Sequence, residues 1–298
     1  MIEPFTVPFM ARAMAELALL AVICGPVSVF VFARRLSFVS DALTHTVFPG
    51  VVIGFMAGGA EGIFAGALVA GALTAVLLTV LTRGGRLSDD ASTAVVLTTM
   101  FSIGVALVSR RSSYTSDLTT FLFGRILTVT ARQLAETAVL AAVTLVLLLA
   151  CVRPLIYRTF DPAGAAAAGY RVARLDLCLN LVVALVVVAA VRAVGTILVV
   201  ALLIVPAAAA RMITTRLSVM AVAGSGLILL AGYAGLLASW TASVDYGVSL
   251  TSASAVVLLL VLAYLALLPL GALRLRRRGA RPAEGAAKQR RSPHELVG

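Results

Sequence analysis

The sequence predicts an all-α fold, a polytopic transmembrane bundle of eight or nine helices. The first observation is composition. Of 298 residues, 61% are hydrophobic and only 12% are charged, about half the roughly 25% of an ordinary soluble domain. A soluble chain of this length would still need a polar surface, and too little polar material is present to build one. The second observation is the recurrence of apolar stretches long enough to cross hydrocarbon. The third is the placing of arginine in the gaps between them.

In chain order, the apolar stretches read as helices over 14–32, 39–56, 62–81, 91–109, 134–151, 175–190, 195–212, 219–238 and 248–270. Residues 117–130 are too polar and too short to span, and read as an interfacial or re-entrant piece. Arg34 and Arg35 follow the first helix, Arg83 and Arg86 the third, Arg153, Arg158, Arg171 and Arg174 bracket the loop after the fifth, and Arg211 and Arg216 follow the seventh. With nine alternating helices these fall on one side, which the positive-inside bias makes cytoplasmic. Arg110, Arg111, Arg125, Arg132 and Arg192 lie on or near the other side, so the bias is imperfect.

The domain division is a membrane body over 1–273 and a basic tail over 274–298, read as disordered. The tail sets Arg274, Arg276, Arg277, Arg278, Arg281, Lys288, Arg290 and Arg291 against Glu284 and Glu295, and so carries over half of the formal net charge of +11. Such a cluster beside a membrane helix suits a cytoplasmic anchor on anionic lipid. Nucleic acid is not an expected partner, because no folded basic module or interleaved aromatics accompany the charge. Cys24, Cys151 and Cys178 lie in or beside apolar runs without metal-ligand or redox spacing, so packing is their expected role. The first ten residues lack the positive start of a cleavable signal peptide.

Two places carry chemistry. Asp41 and His45 are four apart, hence on one face of a helix and one turn from each other. An acid near a helix centre in lipid costs on the order of 3 kcal/mol, which makes function the default reading. One carboxylate and one imidazole suit a divalent first-row metal. A capping acid beside a packed histidine would have the same spacing. Of the two histidines, the other, His294, is in the tail. Ser37, Ser40 and Thr44 add polar groups nearby, and Pro49 with Gly50 loosens the backbone just beyond. Pro206 interrupts a later apolar run and predicts a kink, of use to a gate or to packing. Gly50 with Gly54, and Gly62 with Gly66, predict close helix approach. Asp176 and Arg192 read as capping or snorkelling residues at the interfaces.

The second place is the loop containing Phe160, Asp161 and Pro162 and ending near Gly169. Asp161 as N-cap and Pro162 at the first helical position predict a short helix there. No G-x-x-x-x-G-K-[ST] phosphate loop is present, nor H-E-x-x-H, nor G-x-S-x-G. Enzymatic activity is therefore not expected, and any nucleotide-driven motor would be another chain.

The run from Arg34, Arg35 and Leu36 through Asp41-Ala42-Leu43-Thr44-His45 to Pro49-Gly50 resembles the permease subunit of bacterial ABC importers for zinc, manganese and iron, with its paired arginines, D-A-L-S-H and L-P-G. The segment 195–214 resembles that family's later proline-centred helix, and Asp89-Asp90-Ala91 through Gly104 its helix with an acidic start. The resemblance spans about 8–271. Thr44 stands where the family has serine and Phe48 where it has leucine, and the segment after Pro162 is unusually alanine-rich. The resemblance implies a multi-pass bacterial cytoplasmic-membrane protein with a cytoplasmic C-terminus, working by alternating access as half of a permease homodimer or heterodimer. Its implied partners are cytoplasmic ATPase subunits, an extracytoplasmic metal-binding protein and the lipid bilayer. Asp41 and His45 map onto the metal path, and Phe160, Asp161, Pro162 and Gly169 onto the segment coupled to the ATPase. No cofactor is permanently bound; the cargo is manganese, zinc or iron. A motor-independent secondary transporter or channel is the rival, with Asp41 and His45 as a proton or ion relay.

Overall fold

The computed structural model describes residues 6–83, 88–109, 124–248 and 250–279. Among these the chain is helical, without strands: α1 (Pro8–Ala33), α2 (Ser37–Thr46), α3 (Phe48–Thr82), α4 (Asp89–Val108), a 3-10 turn (Ile126–Thr128), α5 (Ala131–Phe160), α6 (Pro162–Ala167), α7 (Val172–Ile213), α8 (Leu217–Asp245) and α9 (Ser252–Gly279).

Local chemistry fixes the helix starts. Pro8 opens α1, where a missing N–H costs nothing. The Ser88 hydroxyl accepts from the Ala91 N–H, and Asp89 and Asp90 place negative charge at the positive end of α4. Thr130 and Gln133 form a reciprocal capping box on α5. The turn between α1 and α2 puts Arg35 in the left-handed region at φ 57°. The Leu36 N–H there donates to the Val31 carbonyl and closes the end of α1.

Two helices are hairpins. In α3 the backbone leaves helical geometry at Gly58 and Gly59. A Cβ on Gly50 would collide with the Gly66 carbonyl, and one on Gly54 with the Gly62 carbonyl. The glycines expected to permit close approach thus face each other across an antiparallel pair. In α7 the break is at Gly195, with φ 76°. Its 42 residues would run about 63 Å if straight, twice the hydrocarbon thickness. Arg192, just before the break, pairs with Glu136 near the start of α5. Ala207 and Ala210, beyond it, pack with Val29 and Phe32 at the far end of α1. The chain therefore turns back at Gly195.

Eight helices are long and apolar enough to cross a membrane. With α7 counted as two arms, the described chain makes nine crossings. The residue of α7 with non-helical φ/ψ is Gly195, eleven positions before Pro206, and the reversal there falls between the helices expected over 175–190 and 195–212.

The two ends of the bundle are defined by their contacts. One end gathers Arg34, Arg158, Asp176 and α6. The other gathers Arg192, Glu136, Arg132 and Glu61. α7 is the axle: it packs on α1, α2, α3, α5, α8 and α9 and is the most buried span, whereas α4 is among the most exposed. The expected loop over 153–174 is shorter than predicted, because α5 continues through Pro154 to Phe160. Of the non-spanning piece at 117–130, residues 117–123 lie outside the described residues. The rest is the 3-10 turn, held by the Arg125 N–H on the Ala193 carbonyl. Of the tail, α9 includes 274–279, and 280–298 lies outside the described residues.

Candidate functional site

Asp41 and His45 both lie in α2, a ten-residue helix that the break at Val47 and Pro49 separates from α3. Pro49 has no N–H to offer the His45 carbonyl four residues earlier. Leu36 is the N-cap of α2, so Asp41 is interior and is not a capping acid. Its Oδ1 lies 3.9 Å from His45 Nε2. The two side chains are 45% and 30% exposed, on a span where most polar side chains are fully covered. The imidazole meets Phe101 of α4 edge to face, with centroids 5.9 Å apart, and Phe48 also packs on Phe101. One wall of the pair is thus aromatic, and the rest is open.

The neighbouring hydroxyls are spent on backbone. Thr44 donates to the Asp41 carbonyl at 2.7 Å and Ser40 to the Leu36 carbonyl at 3.0 Å, both side chains being buried. Thr44 therefore shapes the helix and presents no oxygen to the open face. Gly50 is used in the α3 hairpin, and Pro206 packs against Gly224 of α8. Among the described residues no cluster of three or more His, Cys, Asp or Glu could hold a metal. Among the described residues the pair offers one carboxylate and one imidazole, fewer donors than such a cluster.

The short helix expected after Phe160 is α6. The Asp161 Oδ1 accepts from the Gly164 N–H at 2.8 Å, Pro162 occupies the first turn, and Gly169 reverses the chain at φ 83°. Tyr157 and Tyr170 stack edge to face at 6.2 Å and brace the corner. Phe160 projects outward, 65% exposed.

The structure also assembles polar groups that sequence reasoning missed. Arg34 and Arg158 both hold Asp176, at 2.5 and 3.3 Å, so Asp176 joins α1, α5 and α7 and does not cap a helix. Arg192 does not snorkel freely: it pairs with Glu136 at 2.8 Å and lies over the Phe64 ring. Arg132 links Glu136 to Glu61. Glu16, fully buried in α1, accepts from Thr137 Oγ1 at 2.9 Å, while its other oxygen lacks a hydrogen-bond partner. Its signal was an acid inside an apolar run. The Asp176 and Glu136 links join distant segments, and spacing does not encode them.

A family described as the ABC 3 transport family matches residues 6–267. The manganese transport system membrane protein MntC of Halalkalibacterium halodurans is 33% identical over 242 residues, covering 81% of this chain and 82% of that protein. The chelated iron transport system membrane protein YfeD of Yersinia pestis is 33% identical over 238 residues, covering 80% and 79%. Among solved structures, PsaBC of Streptococcus pneumoniae in complex with a Fab superposes with a TM-score of 0.75 at 29% identity, covering 90% of this chain and 95% of that one. The chain is a multi-span membrane protein of the ABC 3 transport family.

Proposed function

We propose that this chain is the membrane permease of an ATP-driven importer for a divalent first-row metal, manganese, iron or zinc. The observation that carries the reading is the Asp41–His45 pair on a half-open face of α2. A tetrahedral ion with bonds of about 2.1 Å wants its donors roughly 3.4 Å apart, so the carboxylate oxygen and imidazole nitrogen, 3.9 Å apart, would close slightly on one ion. Two ligands hold a metal weakly, as a path must. A second copy facing the first would supply two more and would cover charged groups that lipid does not tolerate. Metal import also fits the relatives, which are named for manganese and iron transport.

In this reading the end bearing Arg34 and α6 is cytoplasmic, by the arginine bias, and so is the C-terminus. Separate ATPase subunits act on Phe160, Asp161, Pro162 and Gly169. The metal-binding protein delivers cargo at the Arg192 end. Thr44, Pro49, Gly50 and Pro206 set the backbone shape of the path. Nucleotide binding moves α6, and the helices reopen on the other side; the cargo gives direction by binding some states better than others.

The test is metal uptake by the reconstituted complex carrying Asp41→Ala or His45→Ala. Uptake should fall at least tenfold while the subunits still co-purify. Uptake at the wild-type rate in both variants would remove the pair from the path.

A further inference from the structure

Beside the ion-paired Asp176 lies a cleft that the transport reading does not use. It has a volume of about 540 Å³ and opens between the end of α3 and the start of α7. Its lining combines Arg83, Arg171 and Arg174 with the apolar side chains of Val76, Val80 and Leu177 among others. The three arginines are exposed and carry no ion pair among the described residues. Asp176 is already held by Arg34 and Arg158, and Asp89, which lines the adjoining cleft together with Arg83, makes no ion pair with it.

The apolar wall continues outward. Val69, Leu73, Val76 and Val80 are exposed at 69%, 48%, 42% and 57% and follow one face of α3 at helical spacing. That stripe runs about 16 Å along the helix axis, on the order of an acyl chain, and ends beneath the guanidinium groups. We propose that this cleft is a specific site for an anionic phospholipid. The phosphodiester is gripped by Arg83, Arg171 and Arg174, and one acyl chain lies along Val69 to Val80. Guanidinium forks match phosphate oxygens in geometry as well as charge, and basic pockets between spans at the membrane surface recognise such headgroups. A soluble partner could reach the arginines, but it would leave the membrane-depth stripe uncovered. The site joins the α3 arm to the segment just after α6, so a bound lipid would brace the start of α7.

The proposal rests on the membrane placement of the chain and is independent of the metal reading. Purified full-length permease is examined by native mass spectrometry against phosphatidylglycerol and phosphatidylcholine. Phosphatidylglycerol should be retained roughly tenfold or more in preference. The variant R83Q/R171Q/R174Q should lose the preference while remaining monodisperse and helical, and R83K/R171K/R174K, which keeps the charge without the fork, should keep only part of it. Equal retention of the two lipids, or an unchanged preference in the glutamine variant, overturns the site. So does full displacement by millimolar glycerol phosphate, which would make it a free-phosphate site. Loss of the lipid on assembly with the ATPase subunits would assign the arginines to that partner and equally overturn it.

Discussion

At the scale of single residues, chemistry and packing separate cleanly. Thr44 and Ser40 spend their hydroxyls on carbonyls of their own helix, whereas Asp41 and His45 do not. The D-A-L-x-H spacing made that pair legible, since period alone puts positions four apart on one face. Glu16 was equally visible as an acid in an apolar run, but its meaning depends on Thr137, 121 positions away. One buried oxygen of Glu16 has no hydrogen-bond partner, and such a group costs free energy. Glu16→Gln keeps an acceptor for Thr137 and removes the charge. The thermal midpoint of the detergent-solubilised protein should hold or rise; a clear fall would show that the fold relies on the carboxylate itself. The cysteines carry a similar lesson. No sequence spacing pairs Cys151 with Cys178, yet the packing of α5 on α7 makes these two free cysteines neighbours. Mild oxidation of the purified protein should link them within one chain, seen as a Cys151–Cys178 peptide by mass spectrometry. Exclusive linkage to Cys24 would contradict the packing of α5 on α7.

At the scale of elements, the glycines decide the topology. Composition located the spans well because lipid demands long apolar helices. It separated 39–56 from 62–81 and 175–190 from 195–212, but it did not show that each pair is joined with almost no loop inside one helical run. Gly58, Gly59 and Gly195 do this work through backbone freedom. Gly54→Leu should push the α3 arms apart, since its place is filled by the Gly62 carbonyl. Overpacking of this kind costs about 1–3 kcal/mol or more, read as a lower thermal midpoint or loss of the monodisperse protein. Wild-type stability would show that the arms are not in contact. The short α6 is a different case: its Asp161 cap and Pro162 were readable from local rules alone, and the structure has both. Asp161→Ala should fray α6 and lower transport per ATP hydrolysed, with the permease still folded. Unchanged coupling in that variant would put the contact with the ATPase elsewhere.

At the scale of the whole molecule, nine crossings put the two ends of the described chain on opposite sides of the membrane. Phe9 packs with Trp240 at one end, and Gly271 lies against Met212 at the other. The arginine bias pointed to the same alternation, though Arg110, Arg111, Arg125, Arg132 and Arg192 stood against it. Of these, Arg132 is ion-paired with Glu61 and Glu136, and Arg192 with Glu136. Ion-paired belts at both ends then bind α1, α3, α5 and α7 into one body around the α7 axle, while the Asp41–His45 face stays open. That openness makes sense if a second copy closes it and a separate motor drives the change. ATP-dependent uptake by proteoliposomes holding the permease and its ATPase subunits tests this most directly. The account predicts manganese, iron or zinc accumulation that requires ATP and is lost in Asp41→Ala and His45→Ala. Equal accumulation by the permease alone, without ATPase or ATP, would contradict it and make the chain a motor-independent transporter or channel.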